Sequence, residues 1–462
     1  MSRPLVILNV VGLTHEMLGP NTPHISQVAA EGFARPMGTV LPAVTCSAQA
    51  TLLTGSLPRE HGIVANGWYW RELAEVLFWR QPNQLVHGER LYDAARKRDP
   101  NYTVAKLFWW FNMYADVNWS VTPRPSYPAD GRKVMDSYSQ PTELKDQLQE
   151  RLGVFPLFKF WGPGADISST RWIADASVTV MQQHSPSLTL VYLPHLDYNL
   201  QRIGPNDPRI ADDVRAVDAE AGKVIEAAKS RGADVVVLSE YAITAVNRPV
   251  HINRVLREHG YLVARREALG WETLDAGASR AFAVADHQVA HVYVRRSDDI
   301  AAVADLLRKT PGVDRVLDRA AQAEFGLDHE RSGELVVIAA PEAWFTYYFW
   351  LDDALAPDYA RTVDIHRKPG YDPVELFVDP QLKWPKLRVA ARLAQKVLGF
   401  RYYMDVIGLD ASLVKGSHGR LPTQGCENRE APIFVCSNKA IEQDAIKMEA
   451  VKELLLKMQF GN

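Results

Sequence analysis

Leu5-Val6-Ile7-Leu8-Asn9-Val10-Val11 is an apolar run of strand length, followed by Gly12 and then by Thr22-Pro23-His24-Ile25-Ser26-Gln27-Val28-Ala29-Ala30-Glu31-Gly32, which carries a helix start and a glycine stop. Strand, loop and helix in that order open a doubly wound sheet. The unit recurs: 187–193 and 233–238 read as strands apolar on both faces, and 210–231 between them has helical spacing. Strands buried on both sides and separated by helices predict an α/β fold, a mainly parallel sheet with helices on both faces. In such a sheet the ligand crevice lies beyond the carboxyl ends of the strands. Polar residues there are the first site candidates: Asn9, Thr45, His195, Asp197, Ser239 and Glu240.

A chain of 462 residues suits one large α/β domain with insertions. With 47% apolar and 23% charged residues and a net charge of −3, its composition is that of a globular protein without a nucleic-acid footprint. Cys46, Cys426 and Cys436 form neither a zinc-knuckle spacing nor a disulfide framework, so a cytoplasmic location is expected. No apolar run approaches the ~20 residues of a membrane span.

The strand–helix rhythm breaks over 70–174, which is rich in Trp, Tyr and Pro and reads as a cap inserted over the crevice. Residues 262–395 read as a second insertion or subdomain, with a strand pair (280–285 and 288–294), a helix (298–309) and a short strand (335–339). Residues 396–462 return to the core through a strand at 433–436 and a helix over 441–458.

The stretch from Pro42 through Thr45-Cys46-Ser47-Ala48-Gln49-Ala50-Thr51-Leu52-Leu53 places Thr45 where a strand-end loop becomes a helix. Helix-start N–H groups favour negative charge, so a hydroxyl there suits a nucleophile or a phosphate contact; read alone, the residue is better explained as a helix cap. Cys46 has no nearby histidine in sequence to activate a thiolate. His195 and Asp197, two apart at a strand end, are expected to point the same way in extended chain. Asp286-His287 and Asp364-Ile365-His366 each set an acid beside an imidazole; His291 reads as a strand histidine, His61 as structural, and His251 and His259 as surface positions.

Taken together, the opening strand and helix, the stretch from Pro42 to Trp68, Asp197-Tyr198-Asn199-Leu200-Gln201, Leu238-Ser239-Glu240-Tyr241 and Gly416-Ser417-His418-Gly419 resemble the alkaline phosphatase superfamily, most of all its nucleotide pyrophosphatase/phosphodiesterase branch. The resemblance implies a metal-dependent hydrolase of a phosphodiester, pyrophosphate or related phosphorus ester, acting through a Thr45 nucleophile and a covalent intermediate. Asn66 resembles the family's phosphate-oxygen donor. A phosphonate or monoester hydrolase, or a protein that binds a phosphorylated ligand without turnover, are the alternatives. A sulfatase is disfavoured, because 46–50 lacks the required Pro and Arg.

The metal positions depart from the family. Val11 stands where the first aspartate belongs, Gln201 where a histidine belongs, and Glu240-Tyr241 where an Asp-His pair belongs, while Asp197 and His418 match. Asn9, His195, Asp286, His287 and Tyr241 are further candidates for a rebuilt site. The expected cofactor is one or two divalent ions, zinc by resemblance, with magnesium or manganese suited to the oxygen-rich set. The expected partner is a small phosphorus ester, with Trp68, Trp109, Trp110 and His366 as candidate substrate contacts.

Overall fold

A computed structural model of the protein describes residues 3–130 and 132–461. Its nine-stranded sheet runs Ile446–Lys447, Phe33–Gly38, Ile433–Cys436, Asp234–Leu238, Leu5–Val10, Leu188–Leu193, Val104–Leu107, Trp119–Pro123 and Ser137–Gln140. The strands from Asp234–Leu238 to Trp119–Pro123 are mutually parallel, and Ile433–Cys436 and Ser137–Gln140 run against them. This is the mainly parallel, doubly wound architecture expected from the apolar runs.

Alternation along those runs feeds two helical layers. Val6, Leu8, Val10, Val191, Val235 and Val237 pack with the helices Ile167–His184 and Ile210–Lys229. Leu5, Ile7, Leu188, Leu190, Val236 and Leu238 face the helices Thr45–Thr54, Leu91–Arg98 and Val451–Phe460. Period-2 side-chain alternation therefore gives each strand two buried faces.

Two expectations are corrected here. The 70–174 stretch supplies three strands of the central sheet and the long helix Ile167–His184. Its irregular composition reflects short strands at a sheet edge, which need few residues and long connections. The helix expected over 441–458 is a helix only from Val451; before it, Ile446–Lys447 pairs in parallel with Met37 and Gly38. Backbone pairing there outweighs helical spacing.

A second, four-stranded antiparallel sheet, in the order Ala281–Asp286, Val289–Val294, Leu335–Ala339 and Val313–Leu317, anchors its own core. Its first hairpin turns at His287-Gln288, with His287 at φ 62°. Positive φ is what a two-residue hairpin turn demands, and it is uncommon for a residue with a Cβ.

Candidate functional site

Three parallel strands deliver the site at their carboxyl edge. Leu5–Val10 presents Asn9, Leu188–Leu193 runs through Pro194 into the helix His195–Ile203, and Asp234–Leu238 ends in Ser239-Glu240-Tyr241. The helix Thr45–Thr54 is buried along its whole length and starts at Thr45, as its sequence predicts. A helix apolar or small on every face is a core helix. Two glycines let neighbouring segments close in. A Cβ on Gly416 would lie 2.1 Å from the Leu200 carbonyl oxygen, so the Gly416–Ser417 strand, which leads into His418, packs against the His195–Ile203 helix only with glycine there. A Cβ on Gly67 would lie 2.3 Å from the Phe78 ring, which fixes the turn that follows Asn66.

Thr45, Asn66, Asp197, Gln201, Glu240, Tyr241, Asp286, His287, His418 and Asn9 are all buried and are linked to one another. Thr45 Oγ1 lies 3.4 Å from the Tyr241 hydroxyl, which donates to Asp197 Oδ1 at 3.1 Å. Gln201 Nε2 donates to Asp197 Oδ2 at 2.8 Å and its Oε1 accepts from the Tyr371 hydroxyl at 3.1 Å. Asn9 and Gln49 both donate to Glu240 Oε2, at 2.6 and 2.8 Å. Asn66 accepts from the Cys46 N–H at 2.9 Å, while its own N–H and amide donate to Asp286 at 2.8 and 3.1 Å. His287 Nδ1 meets Asp286 Oδ1 at 2.7 Å, and His418 Nδ1 meets the Ala43 carbonyl at 2.7 Å. The His418 ring stacks on Tyr241 with centroids 3.5 Å apart, and His287 stacks on Tyr371 at 3.6 Å.

Burial sets the charge state. Desolvation pushes the Asp197 and Glu240 carboxyls up to about 7 and Asp286 up to about 6, against hydrogen bonds that favour the ionised forms. The same burial holds His287 and His418 neutral, with pKa values well below the usual imidazole range. Cys46 is pushed well above the thiol range by burial and by Asp286 and Glu240, so it offers no thiolate.

The expectation for His195 and Asp197 is corrected. Both lie on the first turn of a helix rather than in extended chain, so residues two apart diverge: His195 Nε2 pairs with Asp213 at 3.0 Å while Asp197 faces Tyr241. Helical geometry instead aligns Asp197 with Gln201, four residues on. The aromatic candidates also scatter. Trp109 is buried in the core shared with Leu52 and Leu53, Trp110 packs edge-on against Trp79, Trp68 stacks on Trp70 beneath Arg331, and His366 Nδ1 reaches the Phe78 carbonyl at 3.4 Å. Asp364 lies with Glu375, which accepts from its N–H. Gln49 and Tyr371 are the network members that sequence reading passed over. Gln49 carries a signal, being four residues past Thr45 on the same helix face; Tyr371 carries none.

The donor set does not fit the pair of zinc ions that the resemblance implies. Val11 is apolar and buried, Gln201 and Tyr241 spend their polar atoms on Asp197 and Tyr371, and both Asp197 oxygens already accept hydrogen bonds. Among the described residues no three His, Cys, Asp or Glu side chains are placed to hold one ion. The buried atoms left without a partner, Glu240 Oε1, Asn9 Oδ1, His287 Nε2 and His418 Nε2, are not gathered into one such group. Beside His418 a groove of about 250 Å³, lined by Ala242, Gln288, Arg420 and Arg429 among others, leads to the edge of the network.

A mainly parallel sheet carrying a buried threonine at a helix start, with carboxylates and imidazoles from successive strand ends, defines an alkaline-phosphatase-like α/β protein. The chain belongs to the type I phosphodiesterase/nucleotide pyrophosphatase family, whose model matches residues 5–372. The family is one of phosphodiesterase and pyrophosphatase hydrolases, and its members are metal-dependent.

An uncharacterized pyrophosphatase/phosphodiesterase of Schizosaccharomyces pombe is 23% identical over 239 residues, which are 49% of this chain and 41% of that protein. The chain thus matches about two fifths of that relative's length. Among solved structures, phosphonoacetate hydrolase from Sinorhizobium meliloti in complex with phosphonoformate superposes with a TM-score of 0.63 at 14% identity, covering 99% of this chain and 96% of that one. An inactive variant of murine ectonucleotide pyrophosphatase/phosphodiesterase 5 in complex with AMP superposes with a TM-score of 0.57 at 14% identity, covering 99% and 95%.

Proposed function

We propose that the chain hydrolyses a phosphodiester, pyrophosphate or related phosphorus ester through Thr45. The observation that carries this reading is the chain Thr45 Oγ1, Tyr241 hydroxyl, Asp197 Oδ1, with steps of 3.4 and 3.1 Å. As Thr45 Oγ1 bonds to phosphorus, its proton passes to the Tyr241 oxygen and Tyr241 gives its own to Asp197. The bond from phosphorus to the leaving oxygen breaks, and that oxygen takes the proton of Glu240, whose carboxyl is held near neutrality. Water then attacks the phosphoryl-threonine. Its proton goes to the Glu240 carboxylate, and Asp197 returns a proton to Thr45 through Tyr241. A pair of carboxyls near pH 7 suits such acid–base exchange. The N–H groups at the start of the Thr45 helix favour charge on the phosphoryl oxygens. Asn66, engaged with Cys46 and Asp286, holds that helix start in place, and the second N–H of its amide is left to meet a phosphate oxygen. No ion is given a step here, because both Asp197 oxygens already accept hydrogen bonds and, among the described residues, no three His, Cys, Asp or Glu side chains are placed to hold one.

Hydrolysis of bis(4-nitrophenyl) phosphate, with intact-mass detection of the phosphoryl adduct, tests the proposal. Thr45→Ala is expected to abolish turnover and adduct together, and Thr45→Ser to keep both in part. A Thr45→Ala protein that hydrolyses the ester at the unaltered rate sinks it. Phosphonoacetate belongs in the same assay because of the structural neighbour that cleaves it. The stacked Tyr241 and His418 rings and the closed network favour a second reading, binding without turnover. Calorimetric binding of AMP by a protein that turns over none of these esters would select it.

A further inference from the structure

The helix Pro385–Val397 is built inside out. Three of its charged side chains face the body of the protein: Arg388 and Arg392 both bind Asp405, and Lys396 lies over the Phe158 and Tyr402 rings. Val389 packs against the core, but most of the helix's apolar residues face outward. Leu387, Ala390, Ala391, Ala394, Val397 and Leu398 recur at helical spacing on one stripe, with Leu387 68%, Val397 85% and Leu398 70% exposed. Trp384, 78% exposed, stands at the helix start, and Phe400, 64% exposed, just past its end. No residue of the helix is buried.

Water does not favour such a stripe, and contiguous exposed apolar area of this kind marks an interaction surface. The charge around it selects the partner. From Gln381 to Met404 the sequence holds Lys383, Lys386, Arg388, Arg392, Lys396 and Arg401 and no acidic residue, in a chain whose net charge is −3. Lys383 and Lys386 are exposed beside Trp384 and Leu387. A Trp-led apolar stripe rimmed by lysine and arginine is the pattern of a helix that lies in the plane of a bilayer, with its apolar side among acyl chains and its cations at anionic headgroups.

We infer that Pro385–Val397 docks the protein on an anionic lipid bilayer surface, with Trp384, Leu387, Val397, Leu398 and Phe400 entering the interface. The site is peripheral: among the described residues no helix is long and apolar enough to cross a membrane. The surface is independent of the Thr45 network, so either claim can fail alone.

Flotation of the purified full chain with vesicles of phosphatidylcholine, with and without 30% phosphatidylserine, tests the inference. Binding is expected to the anionic vesicles, to weaken in high salt, and to drop ~10- to 30-fold in the double variant Lys383→Ser with Lys386→Ser. Leu387→Glu with Val397→Glu is expected to abolish binding. These positions are exposed, so the melting temperature and the bis(4-nitrophenyl) phosphate assay should match the unaltered chain. Equal partition into neutral and anionic vesicles, or no binding to either, overturns the inference. So does a dimer in light scattering that Leu387→Glu with Val397→Glu dissociates, because a second copy would then be what covers the stripe.

Discussion

The Tyr241 hydroxyl donates to Asp197 Oδ1 at 3.1 Å, so a phenol occupies a carboxylate that the resemblance assigns to a metal. Gln201 holds the other oxygen at 2.8 Å. A phenol and an amide stand where the resemblance implies imidazoles, and both donate to the carboxylate, so an ion is not needed to satisfy it. The protein is therefore expected to purify with less than one zinc per chain by elemental analysis, and to keep its melting temperature through dialysis against a chelator. Stoichiometric zinc whose removal lowers the melting temperature would refute this reading of the donors.

The relay from Thr45 predicts a separation of turnover from binding. Tyr241→Phe and Asp197→Asn are each expected to lower kcat on bis(4-nitrophenyl) phosphate by ~10²- to 10⁴-fold. Affinity for AMP should change little, since neither group is assigned a phosphate contact. Steady-state kinetics beside calorimetry reads the two effects apart; a loss confined to binding would remove Tyr241 and Asp197 from the proton path.

Stability should fall as pH rises through the range where the buried carboxyls ionise. Burial holds the Asp197 and Glu240 carboxyls at about 7 in the fold, against ordinary values of 3.8 and 4.5 in the unfolded chain. Between those limits the native state binds more protons than the unfolded state, so the slope of unfolding free energy with pH is negative there. Urea unfolding is expected to show a protein more stable at pH 5 than at pH 8 by on the order of 5 kcal/mol, about half from each carboxyl. Glu240→Gln should flatten part of that slope; an unchanged slope would mean that Glu240 does not titrate in this window.

Asn66 joins the Thr45–Thr54 helix to the second sheet through Cys46 and Asp286. Asn66→Ala leaves the Cys46 N–H and an Asp286 oxygen buried without that partner, a loss of about 2–4 kcal/mol. Asn66→Asp should cost more, because it sets a second carboxylate against Asp286. Thermal denaturation of both variants gives the ranking, and equal stability of Asn66→Ala and the unaltered chain would show that the amide is dispensable.

The apolar runs at 5–11, 187–193 and 233–238 and the Thr45 helix start determined the fold class and the edge of the sheet where the site lies. Strand burial and helix initiation are local properties that period and capping encode directly. Helix–strand ambiguity misled only where segments are short, at 441–458 and in the sheet-edge strands within 70–174.

What Asp197, Glu240 and Asp286 bond to was decided by the tertiary structure alone. The His195–Ile203 helix parts His195 from Asp197, the hairpin at His287 carries Asp286 to Asn66 from 220 residues away, and Tyr371 reaches Gln201 from outside every motif. A sequence names donors and acceptors; which donor meets which acceptor depends on how separate layers pack. Nor does composition reveal that the Pro385–Val397 helix turns its apolar stripe outward, since an amphipathic period is the same whichever face meets the core, and only the ion pairs of Arg388 and Arg392 with Asp405 fix its rotation.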